Sequence, residues 1–513
     1  MWETISSVLS TGLVLLIITL LLLYYYGTKN YGYWKKLGVP YMKPKYPFLG
    51  TLYEFQFGYK SVKEFDEEIY EKFREKPYIG TFCFTEPELY LIDIKLIEAA
   101  LVKDFSSFYN RKKRMLKKSG YITSHLPNLV DHQWKSLRQK LSPAFSLNKL
   151  KGMIEQFLFF SHGLMKNIDT FIEKSEPIES DFLFKRYLSD VIGSCAFGVN
   201  ANALDDPNGD YSHFCENIYK PSSYRLLMRL IRDYYPNLMK LIRGNRYDER
   251  LEEFFVGLIN KNKEYREKNN IVRNDFFQSL IDLRKQDGEL AKNGGHTSSH
   301  LIFDDVLMYS NAFIFYTAGF ETVASTLSFC LYDLATHHKV QEKLHRHIVA
   351  VLKEHKGKIT YESINEMHFL NQVVSESLRL RPPIGEIRRA VTKAYQIPGT
   401  NIVLPKGISI VVPIQCIHMD PKYFPEPEKF LPERFDPEKN TIRKEAYMPY
   451  GAGPRMCIGM QFSNILLKIV VCQLILNYKF KLNPKTEIPL KYATSTYFTA
   501  PDGGMWFDVE KRV

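Results

Sequence analysis

Charge is missing from two long stretches of this chain, and the two gaps predict different kinds of helix. From Ile5 to Tyr26, "ISSVLSTGLVLLIITLLLLYYY", no side chain is charged over 22 residues, enough for a helix to cross a bilayer. The run follows "MWET", with one acid and no base, and ends in three tyrosines suited to a membrane interface. A cleaved signal peptide would start basic, have a shorter apolar core and offer a small-residue cleavage site. The pattern therefore predicts an uncleaved anchor. The chain divides into a lumenal tail (1–4), a transmembrane anchor (5–26), a basic Pro/Gly linker (27–50) and one large domain (51–513). Lys29, Lys35, Lys36, Lys43 and Lys45 follow the anchor, which by the positive-inside rule places the domain in the cytosol. The linker, "GVPYMKPKYPFLG", reads as stiff and extended.

The second gap lies in "FDDVLMYSNAFIFYTAGFETVASTLSFCLYDLATHH" (303–338), where Glu321 is the only charge between 306 and 332. Asp304 or Asp305 can cap a helix there, and His337 and His338 can close it. At 1.5 Å per residue it would span roughly 45 Å. Apolar nearly all round, it predicts a core helix or a second span. Thr317, Glu321, Thr322 and Ser325 in its middle argue against contact with lipid. Two shorter patterns follow helical spacing. "DHQWKSLRQKL" sets Trp134 and Arg138 four apart, two donors that suit a carboxylate or phosphate but equally two surface neighbours. "SESLRL" sets Glu376 three before Arg379, ahead of Pro382 and Pro383. In an apolar helix that pair would have to find buried partners. "DGELAKNGGHTSSH" (287–300) predicts an exposed loop.

Composition adds constraints. At 513 residues, with 45% hydrophobic and 25% charged side chains, the chain has the make-up of a large globular enzyme. Its net charge of +12 suits anionic lipid or an acidic protein. The lysines are spread out and accompany no nucleic-acid-reading motif, which argues against that partner. Seven scattered cysteines without a CxxC pair predict reducing surroundings and neither disulfides nor zinc.

One cysteine stands apart. In "PYGAGPRMCIGMQF" (449–462) Cys457 is framed by Gly451, Gly453, Gly459, a proline and Arg455. A buried cysteine is commonly a small core hydrophobe. Here, however, Arg455 can hold a thiolate or pair with an anion, and a helix starting near Ile458 would aim its N-terminal amides at the sulfur. Thiolate ligation of a metal is the alternative to an inert loop cysteine. In the long helix, Ala318, Gly319, Phe320, Glu321 and Thr322 give small residues beside a carboxyl and a hydroxyl. They read either as parts of a proton relay or as a packing glycine and a threonine bonded one turn back.

Together these motifs resemble the cytochrome P-450 superfamily, the haem-thiolate monooxygenases. Its haem-binding pattern FxxGxRxCxG is met by Gly453, Arg455, Cys457 and Gly459, with Tyr450 in place of Phe. The AGxET, ExxR, PERF and WxxxR motifs occur in the family's order. "SDVIGSCAFG", "LSPAFSLNKLKGM" and "AGFET" look closest to the microsomal xenobiotic-oxidising branch, and to its arthropod members.

The resemblance implies a mainly α fold with a small β-rich lobe, the family's prism, behind a single N-terminal transmembrane helix. It implies haem b bound through Cys457 as axial ligand to iron. Trp134, Arg138, Arg389, Arg455 and Arg111 would hold its propionates, with the glycines letting the loop lie against the porphyrin. Glu376, Arg379 and Arg434 would form a buried structural network that fixes the cysteine loop. Thr322 and Glu321 would deliver protons for O₂ reduction, with Ala318 and Gly319 leaving room for O₂. Phe108, Phe313, Ile314, Thr317, Ile384, Tyr497 and Phe498 would line the pocket for a small lipophilic substrate, a plant toxin or insecticide. An endogenous steroid, hormone or fatty acid is the alternative, and a reductase-independent haem-thiolate isomerase or dehydratase the rival chemistry. Electrons would come from NADPH through NADPH–cytochrome P-450 reductase, with cytochrome b5 as a second donor, because this chain carries no nicotinamide or flavin motif. The expected location is the endoplasmic reticulum membrane, with the domain on the cytosolic face. Lys135, Lys140, Arg443 and Lys444 would ring the reductase-docking face.

Overall fold

The computed structural model describes residues 2–111, 122–218, 224, 228, 231, 246–273, 275–292, 301–439, 442–494, 496 and 498–512. Helix α1 (Trp2–Thr28) contains the apolar run, and its Ser10–Thr28 part is long and apolar enough to cross a membrane, with almost nothing packed on it. Two further helices pass the same length and composition test, but more than half of each is buried inside the protein, which makes them core.

A helical body and a β-rich lobe follow. In chain order the elements that position the site begin with α2 (Val62–Phe73), β1 (Tyr78–Cys83) and β2 (Glu86–Leu91). Next come α3 (Asp131–Leu141), α4 (Ile154–Glu173), β3 (Ile178–Glu179), α5 (Ser180–Phe197), α6 (Phe276–Lys292) and α7 (Asp305–Thr336). After α8 (His338–Glu354) and α9 (His368–Leu380) lie β4 (Glu386–Ala390), β5 (Ser409–Pro413), α10 (Met460–Asn477), β6 (Tyr478–Leu482) and β7 (Trp506–Lys511).

The long helix α7 is the axis of the body. Asp304 caps it by accepting the Leu307 amide at 2.9 Å, and His337 breaks it from α8. Its all-round apolar surface packs on α5, α6, α9 and α10 in one continuous core. The lobe has a separate core around a four-stranded sheet in the order β1–β2–β5–β4. β2 and β5 are parallel, with Leu89 opposite Ile410, and β4 runs antiparallel to β5, with Arg389 opposite Ile410. A smaller sheet, β3–β7–β6, edges the body.

Two segments differ from the sequence expectations. Residues 287–292 belong to α6, and Asp287 is buried rather than in an exposed loop. Its carboxylate accepts Lys140 at 2.7 and 2.9 Å and the Phe303 amide at 2.7 Å, partners far off in sequence that outweigh its polar surroundings. Residues 293–300 lie outside the described ones. The segment after the anchor is docked rather than simply extended. Trp34 is fully buried, its indole donates to Thr81 O at 3.0 Å, and its ring fills the space where Gly80 lacks a side chain.

Candidate functional site

The cysteine loop leaves a short helical turn at Gly453–Arg455 and enters α10 through its N-cap, Gly459. Among the described cysteines Cys457 alone is exposed, while Cys83, Cys195, Cys330, Cys416 and Cys472 are buried. Surrounding protein nonetheless desolvates the sulfur, and that burial raises the thiol pKa against the opposing pull of the Gly459 amide, Arg138 and Arg111. The amide of Cys457 donates to Tyr450 O at 2.9 Å.

The glycines have separate reasons. At Gly453, with φ +69°, a Cβ would come within 1.9 Å of Leu101 O, so the close approach is to the helical turn Ala99–Lys103. Gly451 also needs its positive φ of 77°. Around Gly459 a side chain would make ordinary contacts with Phe145 and the sulfur. The hydroxyl of Tyr450 donates to Asn464 Oδ1 at 2.6 Å, which settles the partner that a tyrosine in the Phe position requires.

Four arginines gather beside this loop. Arg455 is buried, stacks its guanidinium 4.3 Å from the Trp134 ring centre, and donates to Leu129 O at 2.7 Å. It therefore faces away from the role of holding the sulfur. Burial and the charges of Arg111 and Arg138 push its pKa down to about 9. Arg389, on β4, is likewise buried and held well below the usual arginine range by desolvation, Arg111 and Arg455. Arg138 donates to Met456 O at 3.1 Å, directly before the cysteine. The Nε atoms of Arg389 and Arg455 are buried without a hydrogen-bond partner. Buried, mutually repelling cations with unfilled donors call for an anion. These residues fit a flat cofactor that carries two carboxylates and a metal needing a thiolate. A metal's own charge would also overcome the burial that keeps the free thiol protonated.

The pair in "SESLRL" has its buried partners. Glu376 and Arg379 are fully buried, with Arg379 Nε and Nη2 donating to the carboxylate at 2.7 and 2.9 Å. Arg434 Nε and the Leu431 amide also donate to Glu376, each at 2.9 Å. The spare guanidinium donors reach backbone carbonyls of His418, Pro427 and Pro425.

On α7 Ala318 is exposed and Thr322, one turn on, is half-buried. The Thr322 hydroxyl donates to Ala318 O at 2.8 Å, keeping its lone pairs free to accept. Gly319 does not leave room for a ligand, because Ile192 of α5 presses into its missing side chain, where a Cβ would lie 2.8 Å away. Glu321 is buried, and burial raises its pKa. One carboxylate oxygen meets Lys185 Nζ of α5 at 3.2 Å, and Lys185 also binds Asp181 at 2.8 Å. The other oxygen has no partner. Sequence reading missed Lys185 because it lies 136 positions away. The long helix reaches the cysteine loop through Phe145, whose ring sits 5.5 Å from that of Phe315.

The expected pocket residues scatter. Phe108 is buried in the lobe core, edge-on to Tyr395 at 4.6 Å, and Thr317 is fully buried with its hydroxyl on Phe313 O. Phe313 and Ile314 are half-buried on α7, and Ile384 is exposed where its backbone bridges Phe498. Tyr497 lies outside the described residues. Of the four basic residues expected on a docking face, Lys135, Arg443 and Lys444 are exposed, whereas Lys140 is engaged by Asp287.

Comparison with known proteins converges on one family. The family model described as Cytochrome P450 matches residues 40–506. "Cytochrome P450 6a2" of Drosophila melanogaster is 34% identical over 505 residues, covering 97% of this chain and 99% of that protein. "Probable cytochrome P450 6a14" of the same organism is 34% identical over 507 residues, with the same coverage. "Cytochrome P450 6a8" is 34% identical over 490 residues, 95% of this chain and 96% of its own length.

Proposed function

The chain belongs to the cytochrome P450 family of haem-thiolate monooxygenases, and from that membership we propose that it oxidises lipophilic foreign compounds at the endoplasmic reticulum membrane. Its electrons come from NADPH through the membrane-bound reductase, with cytochrome b5 as a second donor. The observation that carries the reading is the partly open Cys457 thiol beside arginines whose buried Nε donors lack partners. When bound, haem b supplies the iron centre at which O₂ is activated.

The chain's own residues do the rest. Cys457 would give its sulfur to the iron, and the Gly459 amide would temper the sulfur's basicity. Arg138, Arg389, Arg455 and Arg111, with the Trp134 indole, would hold the two propionates. Tyr450 shields the sulfur with a ring that Asn464 holds in place. On α7, Ala318 leaves space for O₂, and Thr322 offers lone pairs to a proton in transit. Glu321, held beside Lys185 with one oxygen unpaired, draws protons from the protein's exterior. Phe313, Ile314, Ile384 and Phe498 present an apolar surface to substrate.

The test is reconstitution of the full chain with reductase and NADPH. Reduced protein plus carbon monoxide should show the red-shifted Soret band of a thiolate-bound haem. Product from a panel of plant toxins, insecticides and steroids should require NADPH. Rearrangement or dehydration of an organic peroxide itself, with no second substrate oxidised and no NADPH required, would mean an isomerase or dehydratase instead.

A further inference from the structure

His418 has no part in the chemistry above, yet it is fully buried where the Glu376 network meets the cysteine loop. It ends the short helix Ile414–His418 that follows β5. Its two ring nitrogens have different partners. Nδ1 lies 3.1 Å from Arg379 O; a carbonyl only accepts, so Nδ1 carries the proton. Nε2 receives the Met448 amide at 3.0 Å, so Nε2 is bare. The ring is neutral and fixed in one tautomer. Burial and the Arg379 guanidinium keep it neutral, pushing its pKa down to about 3.

Arg379 and His418 grip one another twice, since Arg379 Nη1 also donates to His418 O at 2.8 Å. Beyond the imidazole, the bonds run on toward the sulfur. Gly451 N donates to Met448 O at 2.9 Å, and Cys457 N donates to Tyr450 O at 2.9 Å. Tyr447 lies against the imidazole with ring centres 5.5 Å apart and planes at 23°, and its hydroxyl donates to Ser375 O on α9 at 3.0 Å. Phe424 meets the other side edge-on at 5.9 Å. Among the described residues, His418 is the side chain that joins the Arg379 backbone to the loop bearing Cys457.

We propose that His418 is a positioning residue for the Cys457 ligand: its neutral imidazole carries the geometry of the Glu376–Arg379 pair to the Met448 amide, and so sets where the loop holds its sulfur. This rests on the reading of Cys457 as haem ligand. The competing account is that the ring only fills space between Tyr447 and Phe424.

Two variants of the full-length holoenzyme separate these accounts. His418→Phe keeps a flat ring and removes both hydrogen bonds, leaving a buried amide and a buried carbonyl without partners. His418→Gln keeps one donor and one acceptor and removes the ring. The readouts are the lifetime of the thiolate-type carbon monoxide band and the haem reduction potential. His418→Phe should shorten that lifetime by about tenfold or more and shift the potential, in line with losing buried hydrogen bonds. His418→Gln should remain within about threefold of wild type. A Phe variant as durable as wild type, or a Gln variant as short-lived as Phe, overturns the proposal. Should His418→Phe yield no holoprotein, His418→Met against His418→Gln decides on the same criterion. A wild-type protein lacking the thiolate band would instead overturn the assignment of Cys457.

Discussion

The cysteine side of the site and the long-helix side are held by opposite means. Around Cys457 the constraints are polar, buried and directional. Glu376 accepts from Arg379, Arg434 and Leu431, and His418 accepts from Met448. Around Thr322 the helix is set by apolar packing, such as Ile192 against Gly319, and its polar groups are only lightly tied. Thr322 bonds to its own helix, and Glu321 shares a lysine with Asp181. The difference teaches what each side is for. A metal ligand must be held within a fraction of an ångström, and the role proposed for Cys457 would need the directional support that this network supplies. The proton delivery proposed for Thr322 and Glu321 would need groups that can turn, and that side keeps Ala318 exposed and Thr322 bonded only within its own helix.

The comparison breaks most sharply at the sulfur. Cys457→Ser should abolish monooxygenation and the thiolate-type carbon monoxide band while the fold survives, because an alcohol cannot donate as a thiolate does. Retained NADPH-dependent product would refute the assignment. Next comes Glu376→Gln, which leaves two buried guanidiniums facing a neutral amide. Breaking such a buried pair costs about 3–5 kcal/mol, so holoprotein yield and melting temperature should fall together. A variant that melts like wild type would mean the network is not what holds this side.

On the long-helix side the same scale of change should cost efficiency and leave stability alone. Thr322→Ala should lower product per NADPH by roughly tenfold, less than the ~10²–10⁴ typical of a positioned proton-transfer group because water can enter in place of the hydroxyl, with hydrogen peroxide rising in its place. Unchanged coupling would remove Thr322 from proton delivery. Lys185→Met should be gentler. Burial raises the Glu321 pKa and Lys185 opposes it, so removing the lysine raises it further. The acid limb of the coupling–pH profile should then move upward by about one unit; a profile that stays put would detach Glu321 from proton supply. The smallest effect belongs to the exposed rim. Lys135→Glu with Lys444→Glu should raise the apparent reductase KM several-fold at low salt, with attraction screened over about 10 Å at 0.1 M. Peroxide-supported turnover should be untouched, and equal loss in both assays would point to damage at the haem site. Lys140 is unsuited to that experiment, since reversing it would strand Asp287.

Much of this was legible from local spacing. The uncharged runs gave α1 and α7, Asp304 was one of two candidate caps, and the cysteine frame carried the resemblance to the family. Glu376 and Arg379 could be paired because three residues on a helix bring them together. What stayed hidden depends on contacts between distant segments. Nothing near Gly453 announces Leu101 O, and nothing near Glu321 announces Lys185. His418 sits in an ordinary-looking "CIHMDP", 39 residues from the arginine whose carbonyl it holds. The burial of Phe108 against Tyr395 was equally hidden, because that partner lies far along the chain.

The burial of Trp34 against Gly80 has a mechanical consequence. A chain tethered by a floppy leash would tumble over the bilayer and sample every heading. Here five residues separate the end of α1 at Thr28 from Trp34, the plug seated in the lobe sheet. The hinge between them is too short for free swivel, so the span acts as a mast on which the lobe is stepped. The heading of the β-rich end relative to the lipid surface is thereby restricted before any other contact with the membrane forms.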